Sequence, residues 1–250
     1  MSVRRILHVF GVMDRGGAET RTLELMRRLD RDRHAFDFLT LAGRPGAYDA
    51  EIGAHGGRVI PCPLWPATTL VPRLIRAIRS GGYDVVHSHV HQFSGVVLLA
   101  SRMAGVPTRI AHIHSTNDGH AATWRRRVYR AVMRRLIAQH ATGAIGVSES
   151  ALDAFWGADW RAIPGRVVVY DGVDTLPLTR AASARATVRA ELGLVERTRM
   201  VIHVGRFDRP KNQAALVPVA VKLAARGDDL VFVLVGDGPL REQVRDAASA

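Results

Sequence analysis

Nine short apolar runs recur along the chain, each separated from the next by an amphipathic stretch, and this alternation limits the fold more than any other feature. The runs are Arg5–Phe10, Phe36–Leu41, Arg58–Pro61, Tyr83–His89, Arg109–His114, Gly143–Val147, Val167–Tyr170, Arg199–Val204 and Leu230–Val235. Several are apolar almost throughout, as in Val231-Phe232-Val233-Leu234-Val235. Strands of that kind are buried on both faces, the mark of a parallel sheet covered by helices. The intervening stretches carry helical periodicity at Ala18–Leu29, Tyr48–His55, Leu70–Arg79, Ser94–Ala104, Ala122–His140, Glu149–Trp156, Ala182–Leu192, Gln213–Ala225 and Leu240–Ala248. Alternating strand and helix predicts a doubly wound α/β architecture.

Composition removes several classes. Apolar residues make up 47% of the 250, too many for a disordered chain. No apolar run reaches the ~20 residues of a membrane helix. Arg4-Arg5 before Ile6–Phe10 looks like a signal peptide only superficially, because Asp14 and Arg15 cut the apolar stretch short. The single cysteine, Cys62, excludes an intrachain disulfide and a multi-cysteine zinc site. A soluble cytoplasmic protein is expected. The net charge of +12 implies attraction to something anionic.

A turn-rich stretch, Asp171-Gly172-Val173-Asp174 followed by Leu176-Pro177-Leu178, reads as an aperiodic linker. It divides the chain into a domain over residues 1–175 and a second over 182–250. Seven of the strands precede it and two follow, a poor core for an independent domain.

The first strand runs into Gly11-Val12-Met13-Asp14-Arg15-Gly16-Gly17 and a helix start at Ala18. Free amides at such a start face a phosphate or a sugar hydroxyl well, and glycines allow close approach. The loop is neither Gly-x-Gly-x-x-Gly nor a Walker A sequence. An ordinary tight turn explains it equally well.

Six of the eleven histidines fall between positions 87 and 120. His87, His89 and His91 alternate, so on a strand they share a face. Zinc ligation, structural packing and ligand binding all remain open. Ligand binding fits best, because strand C-termini line the crevice of a parallel sheet and His112 and His114 sit at another strand end.

Trp124–His140 carries two stripes. Trp124, Val128, Val132 and Leu136, flanked by Tyr129, Met133 and Ile137, form an apolar arc expected to face the core. Arg127, Arg130 and Arg134 lie opposite, and no acidic residue occurs between Ala121 and His140. The basic face is expected to meet anionic lipid. Nucleic acid is not expected, because no aromatic platform or nucleic-acid module accompanies it.

Strand Arg199–Val204 leads into Gly205-Arg206-Phe207-Asp208-Arg209-Pro210-Lys211-Asn212. Arg206 and Lys211 beside a helix start suit a diphosphate. Lys211 is one of only two lysines among the 35 basic residues. The last strand also ends in a glycine-rich turn, Gly236-Asp237-Gly238-Pro239.

In order, Ile6–Phe10 with Gly16-Gly17-Ala18-Glu19, Phe36-Asp37-Phe38-Leu39, Asp84–His89, His112-Ile113-His114-Ser115, Gly146-Val147-Ser148-Glu149, Asp171-Gly172-Val173-Asp174, Val204-Gly205-Arg206 with Lys211-Asn212, and Val235–Pro239 resemble the family 4 glycosyltransferases of GT-B fold, in particular bacterial exopolysaccharide and capsule enzymes. The family turn usually begins with Asn where Asp171 stands. The resemblance implies two Rossmann-like domains, the N-terminal one complete. It implies retaining transfer of a sugar from a nucleotide-sugar donor, UDP- or GDP-linked, to a lipid-linked or glycan acceptor in surface polysaccharide synthesis. By position it makes His114 the histidine near the transferred sugar, Arg206 and Lys211 the diphosphate pair, and Gly16-Gly17 the loop over donor or acceptor. The basic helix matches the region where relatives meet the membrane, which implies a peripheral place on its inner face. No metal or other cofactor is implied. A paired-glutamate motif that grips donor sugar and ribose is implied downstream of Gly236. The 250 residues do not reach it, so the second domain is expected to be incomplete and the chain alone inactive. Two other readings compete: a non-catalytic module that binds membrane or a partner through its basic face, and a zinc hydrolase built on His87, His89 and His91.

Overall fold

The computed structural model describes residues 3–249, apart from the side chains of Arg180 and Ala182. It divides into two compact units between Gly172 and Val173.

The first unit carries a seven-stranded parallel sheet. Its strands are β1 (Arg4–Phe10), β2 (His34–Thr40), β3 (Val59–Pro61), β4 (Val85–Ser88), β5 (Thr108–Ile113), β6 (Gly143–Gly146) and β7 (Arg166–Val168). The order is β3-β2-β1-β4-β5-β6-β7. β1 sits between β2 and β4, so the strand order reverses there and leaves a crevice outside the strand C-termini. The helices are α1 (Gly17–Arg28), α2 (Asp49–Ala54), α3 (Leu70–Gly81), α4 (Ser94–Met103), α5 (Trp124–His140) and α6 (Glu149–Trp156).

Helices pack on both faces of the sheet, as its continuous apolar strands demand. Leu7, Val9, Leu39 and Val86 pack on Leu74 and Ile78 of α3 and Val97 of α4. On the other face Phe10, Phe36 and Phe38 pack on Leu23 and Met26 of α1 and Ile52 of α2. Leu98, Ile113, Ile137, Leu152 and Phe155 form a third cluster that ties α5 and α6 to the sheet. Asp37 in β2 is a buried charge with good partners. Tyr83 donates its hydroxyl to Oδ2 at 2.8 Å, and Arg58 donates from Nη2 at 2.7 Å and from its backbone to Oδ1 at 2.8 Å.

The second unit holds α7 (Leu176–Ala181), α8 (Arg185–Glu191), β8 (Arg199–Val204), α9 (Leu216–Ala225), β9 (Leu230–Val235) and α10 (Arg241–Ser249). β8 and β9 pair in parallel. Val201, Ile202, Val204 and Val235 are exposed, in contrast to the buried centre of the larger sheet.

All nine expected strands form, with ends shifted by a few residues. Residues 176–178 correct the sequence reading, because they open α7 rather than continue a linker. Asp174 Oδ1 accepts the Leu176 amide at 3.1 Å, and Thr175 carbonyl accepts the Thr179 amide at 3.0 Å. Pro177 stands in the first turn, where its missing N–H costs nothing. The cap and the proline together were the available signal.

Candidate functional site

The C-terminal side of the first unit's sheet brings five histidines together. In-register pairing of β1 with β4 sets His8 beside His87. The two-residue period then puts His89, His112 and His114 on the same face. The rings form two bonded groups. His8 Nδ1 lies 3.0 Å from His89 Nε2, and His89 Nδ1 lies 2.9 Å from His114 Nε2. His87 Nε2 lies 3.1 Å from His112 Nδ1. One nitrogen of each pair carries the shared proton. The rings also stack, His112 on His114 at 4.0 Å and Phe10 on His89 at 4.1 Å between centroids.

This packing fixes their charge. Burial, then repulsion from His112, lowers His8 to about 3. Burial followed by its ring neighbours lowers His112 to about 2. His87 and His89 fall well below the ordinary value for the same reasons. Burial lowers His114 to about 4, against the pull of Asp171 and with the push of His91. All five are neutral imidazoles near neutral pH. The nitrogens of His8, His87 and His89, and those of His89, His112 and His114, are close enough to hold a metal ion. Yet most are engaged with one another, and His8 and His112 each keep one buried nitrogen, Nε2, without a partner.

The proposed zinc trio is not assembled. β4 ends at Ser88, and His91 opens a short 3-10 helix (His91–Phe93) with φ of +47°, its ring against Phe155 rather than beside His87 and His89. The strand that would have aligned the three ends too early. His8 was not singled out from the sequence. Only the register of β1 against β4 places it in the array.

Gly16 and Gly17 lead into α1 as expected. Gly16 caps the helix in extended conformation with no side-chain bond to the first amides. The Glu19 carboxylate folds back over Gly16, so a Cβ there would meet Glu19 Oε2 at 2.2 Å. Gly17 has open space around it.

α5 corrects a second expectation. Met133 and Ile137 are buried, but Trp124, Val128 and Val132 are exposed, at 70%, 55% and 49%. Arg130 instead turns inward. Its Nη2 donates to Asp118 Oδ1 at 2.6 Å and its Nε to Oδ2 at 3.0 Å, while Arg126 Nε donates to Oδ2 at 2.9 Å. Bonds from Arg130, against the cost of burial, hold the Asp118 carboxyl far below the usual carboxylate range. Arg134 donates to Phe155 carbonyl at 3.1 Å. Of the expected basic patch, Arg127 alone is solvent-facing, beside Arg125 and Arg135. A carboxylate outside the helix decides which face turns in.

In the second unit Arg206 and Lys211 follow β8 on an exposed loop, and neither forms an ion pair among the described residues. The loop is held from beneath. Asp208 Oδ1 accepts the Lys211 amide at 3.3 Å, and buried Gln213 donates to the carbonyls of Arg206 at 2.8 Å and Gly205 at 3.3 Å. The turn after β9 packs directly on it. A Cβ on Gly236 would meet Gly205 carbonyl oxygen at 2.1 Å, and one on Gly238 would meet Phe207 oxygen at 2.5 Å. Both glycines have φ near +150° (145° and 154°), so only glycine fits here. His114 with Gly16-Gly17, and Arg206 with Lys211, therefore lie on different units.

Residues 16–172 match the Glycosyl transferase 4-like domain. The chain belongs to this family. Glycosyltransferase EpsF of Bacillus subtilis is 35% identical over 251 residues, which cover 99% of this chain and 65% of that protein. The capsular polysaccharide biosynthesis glycosyltransferase CapH of Staphylococcus aureus is 26% identical over 217 residues, 86% of this chain and 57% of CapH. The crystal structure of Anabaena HepE in complex with UDP superposes with a TM-score of 0.75 at 23% identity, covering 98% of this chain and 65% of HepE. The chain thus spans 57–65% of the length of these relatives, and its fold is that of GT-B glycosyltransferases. Among the described residues no helix is long and apolar enough to cross a membrane.

Proposed function

We propose that this chain works in transfer of a sugar from a nucleotide-sugar donor, UDP- or GDP-linked, to a lipid-linked or glycan acceptor in surface polysaccharide synthesis, with retention at the anomeric carbon. The observation that carries the donor half is the braced loop 205–212, which offers a diphosphate two exposed cations, Arg206 and Lys211, that form no ion pair among the described residues. An ion pair near 4 Å is worth about 4 kcal/mol at an effective dielectric of 20, so two cations favour the departing nucleoside diphosphate strongly. The complexes of HepE with UDP and UDP-glucose support a nucleotide-sugar donor.

His114 is the group proposed beside the transferred sugar. A neutral imidazole suits an uncharged hydroxyl, because Nδ1, the nitrogen left over from the bond to His89, makes one hydrogen bond without a charge to neutralise. The bond from His89 holds that ring in one orientation. On α5 the outward ridge of Trp124, Val128 and Val132, bordered by Arg125 and Arg127, is proposed to lie in an anionic membrane surface.

Calorimetric titration with UDP and GDP tests the donor half. Arg206→Ala and Lys211→Ala are each expected to weaken nucleoside diphosphate binding by about 1.5–3 kcal/mol, the range for charge-assisted hydrogen bonds. Unchanged affinity for both nucleotides in the double variant refutes the assignment. Absence of nucleotide binding in the unaltered chain favours the non-catalytic reading.

A further inference from the structure

The histidine array supplies a ligand set that the alternating trio does not. β4 and β5 pair with Ser88 beside Ala111, which carries His89 beside His112, their ring centroids 5.2 Å apart. His114 lies two residues on along the same face. One ring nitrogen from each of His89, His112 and His114 lies within 4.8 Å of the other two. Two imidazole nitrogens on one tetrahedral zinc, each about 2.0–2.1 Å from the ion, stand about 3.3 Å apart. His89 Nδ1 and His114 Nε2 stand 2.9 Å apart, so small ring rotations let an ion replace the proton between them.

The second nitrogens of two of these rings are already held. His89 Nε2 meets His8 Nδ1 at 3.0 Å, and His112 Nδ1 meets His87 Nε2 at 3.1 Å. A metal-bound imidazole ordinarily donates its second N–H to an outer acceptor, which fixes the ring and its tautomer. His8 and His87 stand in that place. His112 Nε2 is buried without a partner, a cost that a bond to an ion removes. All three ligand rings are half-buried at the C-terminal side of the sheet, so an ion reaches them from the crevice. The other close triplet, His8, His87 and His89, depends on His8, which is 2% exposed and packed against Phe36 and Phe38. An all-imidazole set suits a borderline ion such as Zn²⁺, Co²⁺ or Cu²⁺ and not Mg²⁺ or Ca²⁺.

We propose that His89, His112 and His114 bind a divalent transition-metal ion of the zinc class, with His8 and His87 bracing the ligand rings from behind. Three protein ligands leave the fourth position of a tetrahedral ion open to water or to an oxygen of a ligand. The site does not depend on the glycosyltransferase reading.

Zn²⁺ is titrated calorimetrically into the 250-residue chain after treatment with a chelator, and Co²⁺ binding is followed by its visible spectrum. About one Zn²⁺ per chain is expected to bind, and Co²⁺ to show the intense visible bands of a four-coordinate ion. Mg²⁺ in excess should not compete. His112→Gln and His114→Gln should each weaken Zn²⁺ binding by about a hundredfold or more and remove the Co²⁺ bands, whereas His8→Phe, which takes away an outer contact only, should weaken it by about tenfold and keep the bands. Thermal melting in metal-free buffer checks the fold of each variant, and the unaltered chain tests the site even where a variant does not fold. Three results overturn the proposal: no Zn²⁺ binding by the unaltered chain, binding that survives His112→Gln combined with His114→Gln, or Co²⁺ bands lost in folded His8→Phe but kept in folded His114→Gln.

Discussion

Acid should unfold the first unit well above the pH at which its carboxylates titrate. Five rings, His8, His87, His89, His112 and His114, are neutral in the fold, with the three of printed value at about 3, 2 and 4. In the unfolded chain each returns to its ordinary value of 6.5. The unfolded state therefore binds protons first. The stability is complete above pH 6.5 and is lost as pH falls from there toward 2–4. Between pH 7.5 and 5.5 each ring that stays neutral costs about 1.4 kcal/mol. Five rings sum to about 7 kcal/mol, comparable to the whole ~5–15 kcal/mol stability of a domain. Asp37, Asp118 and Asp153 have lowered values, so their contribution is lost only below about pH 4, outside this window. Urea unfolding followed by tryptophan fluorescence isolates the first unit, because all four tryptophans, Trp65, Trp124, Trp156 and Trp160, lie in it. His8→Phe keeps an aromatic ring between Phe36 and Phe38 and should flatten the pH dependence by about 1.4 kcal/mol. A stability that changes by less than about 1 kcal/mol between the two pH values refutes the reasoning. So do histidine NMR titrations with midpoints near 6.5.

Asp37→Ala should cost about 3 kcal/mol in the same urea assay, because it strands Arg58 and the Tyr83 hydroxyl; a loss under 1 kcal/mol contradicts a shared buried site. Trp124→Ser with Val128→Ser should abolish co-sedimentation with anionic vesicles, and Arg127→Glu should weaken it by about 1 kcal/mol or more. Equal binding to neutral vesicles shows that the ridge is only a solvated face. Gly236→Ala should destabilise the second unit by about 2 kcal/mol or more, read as lost hydrogen-exchange protection in β8 and β9. Unaltered protection there means the two turns do not pack as described.

The sequence by itself determined the elements. Apolar runs like Leu230–Val235 and periodic stretches like Leu70–Arg79 are local patterns, and a strand or helix buries them wherever it packs. The loop 205–212 was legible for the same reason, since its glycine, cations and capping Asp208 lie within eight residues. Tertiary structure decided everything that needed a distant partner. α5 offers two faces of mixed chemistry, and Asp118, several residues before the helix, draws Arg126 and Arg130 inward and leaves Trp124 in solvent. His8 joins the histidine array only because β1 pairs with β4, 79 residues away at His87, while His91 leaves it because β4 stops at Ser88. Periodicity fixes which residues share a face of one element. Register and long-range charge pairing fix what that face meets, and neither is written in any local stretch of chain.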